Sequence, residues 1–168
     1  MALYELLEEF DVYLDEEVKV ISFPSQLYRG DDRDLAAITA AGGFFPKKNG
    51  GDAPSIWALL NHCAVNGYGG PFISTTEDPD IAREFGGNLY GIDAGMLVVA
   101  EENWTKLAEY YKRFKDEMDT GLGDNGERNR ASNYMRNFLW PAIQYHKAQG
   151  EQLVINNIPI GHIHLQSP

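Results

Sequence analysis

The chain has 168 residues, with 14 lysines and arginines against 25 aspartates and glutamates, and a formal net charge of −11 at pH 7. That length suits one domain with a sizeable core. The surplus of acids argues against an extended nucleic-acid groove, because a phosphate backbone is neutralised by clustered lysine and arginine, but it leaves room for a single nucleotide in a pocket.

The first half of the chain is predicted to alternate helices with extended segments. The N-terminus lacks the pattern of a signal peptide, and the apolar spacing over 3–14 predicts an amphipathic helix. "VKVISF", "QLYRG" and "PFIST" are typical of strands, while "DLAAITAAGG" and "DPDIAREFGG" are typical of short helices with an aspartate at the start and glycine past the end. In "APSIWALLNHCAVNG" we expect a helix with Pro54 in its first turn. Its apolar face includes Cys63, the one cysteine, which we interpret as a buried packing residue and not a nucleophile.

The second half is predicted to hold a helical insert between strands. "GMLVVAEE" indicates a buried strand. A charged helix is expected over 103–118, and a second helix over about 128–147, kinked at Pro141. The residues of the first helix predicted to face inward are Trp104, Leu107, Tyr111 and Phe114. "QLVINNIPIGHIHL" predicts two strands separated by an "NNIP" turn, so the whole chain, 1–168, is expected to form one α+β domain.

Two motifs resemble ligand sites but stand in the wrong sequence context for one. "GLGDNG" matches a dinucleotide fingerprint but follows a charged helix instead of a strand, so we interpret it as a surface loop. His162 and His164 are predicted to alternate on the last strand, without further histidines or cysteines nearby to complete a metal site. We therefore expect no metal, and we find no local pattern of a Ser-His-Asp nucleophile.

Three extended segments carry polar residues that could act together. They are "QLYRGDDR" with Arg29 and Arg33, "FISTTEDP" with Ser74, Thr75 and Thr76, and "QGEQLV" with Gln149 and Glu151. An arginine at a strand end suits a bidentate phosphate contact. A carboxylate can hold a ribose hydroxyl and stabilise an oxocarbenium-like cation. Taken singly, each has a simpler explanation as a salt bridge, a strand surface or a solvated charge.

Together, in this order, the three segments resemble the bacterial mono-ADP-ribosyltransferase toxins of the cholera and pertussis type. That family carries an arginine, then Ser-Thr-Ser, then a Glu-x-Glu or Gln-x-Glu pair. The resemblance covers residues 26 to about 102 and again 148–164. The N-terminal helix, within 1–22, and the helical insert, over 103–147, lie largely outside it. Thr76 stands where the family has its last serine, which is a conservative departure.

The catalytic position depends on the register of the last segment. Matching "GEQLV" directly to Glu-x-Glu would place Leu153 there and imply an inactive relative of the family. The family's Gly-Gly-Ile-Pro-like turn corresponds instead to "NNIP", and counting back from it without a gap places Glu151 at the catalytic position and Gln149 before it. We favour this second register, in which Leu153 is core.

The resemblance implies an ADP-ribosyltransferase fold of two packed, mainly antiparallel sheets with flanking helices, and an enzyme of the glycosyltransferase class that uses NAD as co-substrate. Catalysis would fall to Glu151, oriented by Ser74 and accompanied by Gln149. The residues implied to contact NAD are Arg29, Gly30, Asp31, Arg33, Thr75 and Thr76, with Arg29 on the diphosphate and Asp31 or Arg33 near the adenosine.

The acceptor and partners follow from the same resemblance. A glutamine at position 149 cannot take a proton, so it favours an amide or a nucleic-acid base over arginine as acceptor. Tyr145 and His146, expected in a loop, stand where relatives carry target-recognising aromatics; ordinary packing is the alternative. We expect a toxin or effector, cytoplasmic or delivered into a target cell, that acts on a protein or nucleic acid and not on a membrane. The sequence leaves open whether a neutralising immunity protein or antitoxin accompanies it. The alternatives are an inactive binding relative and an NAD glycohydrolase.

Overall fold

The structure, a computed structural model, describes residues 2–21, 26–47, 53–64, 70–93, 99–100 and 104–166, with the side chains of 21, 99–100 and 145–149 left out. The α-helices of this part are α1 Leu3–Leu14, α2 Leu35–Ala41, α3 Ile56–Ala64, α4 Pro79–Arg83, α5 Trp104–Asp119, α6 Asn125–Tyr134 and α7 Trp140–Gln149. A π-helical stretch, Met135–Leu139, joins α6 to α7, and a 3₁₀ turn covers Ile160–His162.

Within the described residues, nine strands form one large sheet and one small ribbon. They are β1 Val20–Ile21, β2 Gln26–Asp31, β3 Gly43–Phe44, β4 Phe72–Thr76, β5 Asn88–Asp93, β6 Val99–Ala100, β7 Glu151–Ile155, β8 Ile158–Pro159 and β9 Ile163–Leu165. The large sheet has the order β1-β6-β7-β4-β2-β5-β9, and β3 pairs with β8. Each of these pairings is antiparallel. The α+β prediction is therefore confirmed.

The junction between β2 and β4 divides the large sheet into two parts. Only Tyr28 and Thr76 pair across it, whereas β2 pairs with β5 over six residues and β4 pairs with β7 over five. The sequence predicts two packed sheets; the described strands form one large sheet of two antiparallel parts, joined at a single residue pair.

Each face of the sheet has its own hydrophobic core. The larger core lies under α1, α3, α5, α6 and α7 and includes Phe10, Leu60, Phe72, Leu107, Phe114 and Leu153. The smaller core lies on the other face, beside the β3–β8 ribbon, and includes Leu27, Ile38, Phe44, Tyr90, Ile92 and Val154. Because side chains alternate along a strand, neighbouring residues of β2, β4 and β7 belong to opposite faces. Which face a polar residue occupies therefore decides what it can touch.

Most predicted helices are confirmed, and three details were wrong. The helix α3 begins at Ile56, with the Ser55 hydroxyl accepting a hydrogen bond from the Ala58 amide, so Pro54 precedes its first turn. On α5 the prediction missed Tyr110, which is buried beside Leu107 and Phe114, while Tyr111 is half-buried and packs against the larger core as predicted. His162 lies in the 3₁₀ turn and not on the last strand, so it does not alternate with His164.

Candidate functional site

The register of β7 against β4 brings Ser74 and Glu151 to the same face of the sheet. Thr76 pairs with Glu151, and Ser74 pairs with Leu153, so these four side chains share the face covered by the helices. Glu151 is the first residue of β7. Leu153 is fully buried in the larger core, as predicted. Ser74 and Glu151, two of the predicted site residues, thus lie on adjacent strands.

The turn into β7 is shaped by a glycine and two threonines. Gly150 has a φ of 54°, a left-handed conformation that suits glycine and lets the chain leave α7 and enter the strand. The Thr75 hydroxyl donates to the Gln152 carbonyl at 2.6 Å, and the Thr76 hydroxyl approaches the Gly150 carbonyl at 3.5 Å. Both threonines are buried. The structure therefore assigns Thr75 and Thr76 to holding the backbone on either side of Glu151.

A histidine that the sequence analysis did not select completes this cluster. His62, near the end of α3, places its Nε2 atom 2.7 Å from the Ser74 hydroxyl and 4.0 Å from Oε2 of Glu151. The neighbouring Cys63 thiol, on a half-buried residue, points to Oε1 of Glu151 at 3.9 Å. The C-terminal turn of α3 thereby covers Glu151, whose exposed fraction is 1%.

The geometry around His62 differs from that of a catalytic triad. In a triad the serine contacts one ring nitrogen and the carboxylate contacts the other. Here Ser74 and Glu151 both approach Nε2 of His62. His62 therefore contacts both Ser74 and Glu151 through the same ring nitrogen. Because no carboxylate among the described residues supports the other ring nitrogen as in a triad, this arrangement does not activate Ser74 as a nucleophile.

Burial lowers the pKa of His62 to about 4, with further lowering from the positive charges of Arg29 and Lys47. The ring is consequently neutral at neutral pH, and its approach to Glu151 is not a pairing of opposite charges. Desolvation of the imidazolium, which burial disfavours, outweighs the attraction that a carboxylate at 4.0 Å would offer.

Acid is expected to destabilise the fold through His62. The unfolded residue takes up a proton near pH 6.5 and the folded one only near pH 4. Between these values the unfolded state binds more protons, so the free energy of unfolding falls as the pH drops from about 6.5 to about 4. Urea unfolding at several pH values measures this, and His62→Asn should flatten that part of the profile. A folded-state NMR titration of the His62 ring centred near its ordinary pKa would contradict the explanation.

Arg29 connects the other face of the sheet to Ser74. Its side chain leaves β2 on the face of the smaller core, where its guanidinium lies 5.2 Å from the centre of the Phe44 ring. Nη1 donates to the Ser74 carbonyl oxygen at 2.9 Å. This contact is possible because the pairing of β2 with β4 ends at Tyr28 and Thr76, which leaves the Ser74 carbonyl without Gly30 as a ladder partner.

Asp31 and Arg33 bind each other. The Arg33 guanidinium donates two hydrogen bonds to the Asp31 carboxylate, at 2.9 and 2.8 Å, and its backbone amide donates a third. These bonds lower the pKa of Asp31. The Arg33 carbonyl in turn accepts from the Tyr90 hydroxyl at 2.6 Å. The ion pair of Asp31 and Arg33 therefore lies in a fixed position beside Arg29. A ligand that bound one of these two residues would compete with the other for it.

Gly30 lies against the backbone of α4 and has no room for a side chain. A Cβ atom there would be 2.0 Å from the Ala82 carbonyl oxygen. On the facing segment, a Cβ at Gly86 would be 2.4 Å from the Asp31 amide. The structure thus assigns Gly30 to the packing of α4 on β2.

The remaining predicted residues divide into two groups. The side chains of Tyr145, His146 and Gln149 lie outside the described part of the structure. Their backbone belongs to α7, instead of the loop predicted for Tyr145 and His146 and the strand start predicted for Gln149. His162 and His164 lie near β5 and β9, where they contact the Asp93 carbonyl and the Gln26 amide respectively. Within the described residues, no group of three or more histidines, cysteines or acids is arranged to hold a metal.

The chain was compared with protein-family models, with curated proteins and with solved structures, and none of them matches it. Among the described residues, no helix combines the length and the apolar character needed to cross a bilayer.

Proposed function

We propose that this protein is a mono-ADP-ribosyltransferase, a toxin or effector that transfers ADP-ribose from NAD to a macromolecule and releases nicotinamide. One observation carries the proposal. Arg29, Ser74 and Glu151, far apart in the sequence, are linked in space by the Arg29 to Ser74 hydrogen bond and by the contacts of His62 with Ser74 and Glu151. An arginine, a serine and a glutamate in one cluster are the residues that the family resemblance calls for.

The proposal includes an ADP-ribosyltransferase fold. The antiparallel sheet, its division at the β2–β4 junction and the helices that flank it are compatible with two packed sheets whose strands separate beside a ligand site. Where strands separate, backbone groups lose their partners in the sheet and can bind other groups. The Ser74 carbonyl is an example, since it accepts a hydrogen bond from the Arg29 side chain.

In the proposed reaction the bond between the nicotinamide nitrogen and the ribose breaks, and positive charge develops on the ribose. Glu151 would hold a ribose hydroxyl and stabilise that charge, which a carboxylate does strongly in a site closed to water. Ser74 would orient Glu151, and Arg29 would bind the diphosphate. Because His62 and Cys63 cover Glu151, NAD binding requires the end of α3 to move from the carboxylate.

The acceptor is proposed to be an amide or a nucleic-acid base. Gln149 ends α7, two residues before Glu151. Its amide can donate to and accept from such a group but cannot remove a proton from a guanidinium. Transfer to an arginine acceptor would be slow, because the enzyme has no base at position 149 to take a proton from the guanidinium.

The burial of Glu151 favours a second candidate, an inactive relative that binds a partner. The Glu151 side chain has 1% of its surface exposed and lies under a neutral histidine. Such burial is typical of a residue that supports the fold and does not contact a substrate. Such a protein would bind without releasing nicotinamide from NAD.

Nicotinamide release from NAD, measured with the purified protein and again after addition of a cell lysate, tests these candidates. A transferase gives release that rises several-fold with the lysate, which supplies the acceptor. An NAD glycohydrolase gives the same release with and without lysate. Absence of release under both conditions would contradict the enzyme and leave the binding protein.

A further inference from the structure

The helical insert carries an exposed pair of aromatic rings away from the cluster around Glu151. Trp140, the first residue of α7, has 48% of its surface exposed. Its ring lies 5.5 Å, centre to centre, from that of Tyr111 on α5, which is half-buried against the larger core. A large aromatic side chain held on a second ring presents an ordered apolar surface to solvent, and tryptophan and tyrosine of this kind dominate binding energy at protein interfaces.

The charged neighbours of this pair on its own two helices are basic. On a helix, residues three and four positions apart are neighbours on the surface. For Tyr111 these neighbours are Leu107, Ala108, Phe114 and Lys115, and for Trp140 they are Arg136, Asn137, Ile143 and Gln144. All eight are described, and the charged ones among them are Lys115 and Arg136, both exposed. In a chain with 25 acids and 14 bases, this is a local reversal of charge.

We propose that the surface formed by Tyr111, Lys115, Arg136 and Trp140, here called the aromatic-basic surface, docks an acidic segment of a partner protein. An apolar side chain of that segment would pack on Trp140, and carboxylates next to it would pair with Lys115 and Arg136, which lie at the same end of the aromatic pair because α5 runs antiparallel to the α6–α7 stretch. Charge complementarity of this kind adds to specificity and to the rate of association.

The composition of the surface favours a protein segment over a nucleic acid. Single-stranded nucleic acid also stacks on aromatic rings, but it needs a track of several cations along its backbone. The aromatic-basic surface offers two cations on a chain with a net charge of −11, which repels a long polyanion. A short acidic segment with one apolar anchor fits both features.

The aromatic-basic surface is separate from the proposed site for NAD. α7 has ten residues from Trp140 to Gln149, so its two ends are about 15 Å apart along the axis. Substitutions at Trp140 are therefore expected to leave nicotinamide release unchanged, and the docking proposal stands or fails independently of the proposed reaction.

Selection of random peptides displayed on phage against the immobilised full chain tests the proposal. We expect enrichment of sequences with a cluster of aspartates or glutamates beside an aromatic or aliphatic residue. A synthetic peptide of the selected sequence is then titrated by fluorescence anisotropy into wild type, Trp140→Ala and the double variant Lys115→Glu/Arg136→Glu. We expect the Kd to rise at least about tenfold in both variants, and to rise with salt for wild type.

Tyr4→Ala is the matched control, because Tyr4 is an exposed aromatic whose neighbour four residues on is the acid Glu8. It should bind the peptide as wild type does. Circular dichroism spectra and Tm values show whether each variant is folded. The proposal is overturned if no acidic sequences are enriched, if the folded variants bind the peptide as tightly as wild type, or if oligo-dT binds wild type more tightly than the peptide.

Discussion

Replacing Glu151 with glutamine is expected to lower the rate of nicotinamide release from NAD by about 10²–10³-fold. The amide has nearly the shape of the carboxylate but no charge, so it cannot stabilise the cation that develops on the ribose. Glutamine should also be well accommodated in the fold, because Glu151 is buried and an amide loses less than a carboxylate on leaving water. Activity and stability should therefore separate in this variant.

The measurement is nicotinamide release in the presence of lysate, with Glu109→Gln as the matched control. Glu109 is exposed on α5, so the same chemical change there should leave release at the wild-type rate. If Glu151→Gln and wild type released nicotinamide equally fast, Glu151 would not be the catalytic carboxylate. The register that places Glu151 at that position would then be wrong.

Gly30→Ala is expected to reduce the free energy of unfolding by about 3 kcal/mol. The added Cβ would be 2.0 Å from the Ala82 carbonyl oxygen, and 3.0 Å from the Gly86 amide nitrogen. Both neighbours are backbone atoms, which cannot rotate away as a side chain could. Either α4 moves from β2, or β2 shifts within the sheet, and each loses packing beside Arg29.

Guanidinium unfolding, analysed for the free energy in water, measures the effect of Gly30→Ala. Gly161→Ala is the control, because a Cβ there meets no atom within 4 Å and its φ is not in the left-handed region. That variant should be within about 0.5 kcal/mol of wild type. A Gly30→Ala protein as stable as Gly161→Ala would show that α4 does not pack on β2 in the way described.

The elements that could be predicted from the sequence are those with strong local signals. α2 and α4 were found because Asp34 and Asp78 cap them and accept hydrogen bonds from their first amides. β5 was missed because "NLYGID" has little alternation and includes Gly91. The structure explains that glycine, since a Cβ there would lie 2.2 Å from the Gln26 side chain on the neighbouring strand.

A kink or interruption is predicted at Pro141, and the structure has the π-helical stretch Met135–Leu139 two residues before this proline. A proline lacks the amide that an α-helix would use at that position, and the wider turn just before it accommodates the change. The position of this irregularity could be expected from the proline. Whether the helix bends or forms a π-turn could not, because that depends on packing against α3 and α5.

Three members of the candidate cluster could be selected from the sequence, and one could not. Arg29, Ser74 and Glu151 each stand at a strand end or on a strand, in an order that matches a known family. His62 lies within a helix whose apolar spacing predicts burial, and nothing local indicates that Ser74 and Glu151 contact it. Its contacts depend on how the end of α3 lies against β4 and β7, and β7 is distant in sequence.

Transfer of labelled ADP-ribose tests the proposed function most directly. The purified protein is incubated with NAD labelled in the adenosine part and a whole-cell lysate, and the labelled macromolecules are then digested separately with protease and nuclease. We predict label in macromolecular material with wild type and none with Glu151→Gln, and its sensitivity to protease or nuclease identifies the acceptor as protein or nucleic acid. Equal labelling by both proteins, or free ADP-ribose as the sole labelled product of wild type, would contradict transfer by this site.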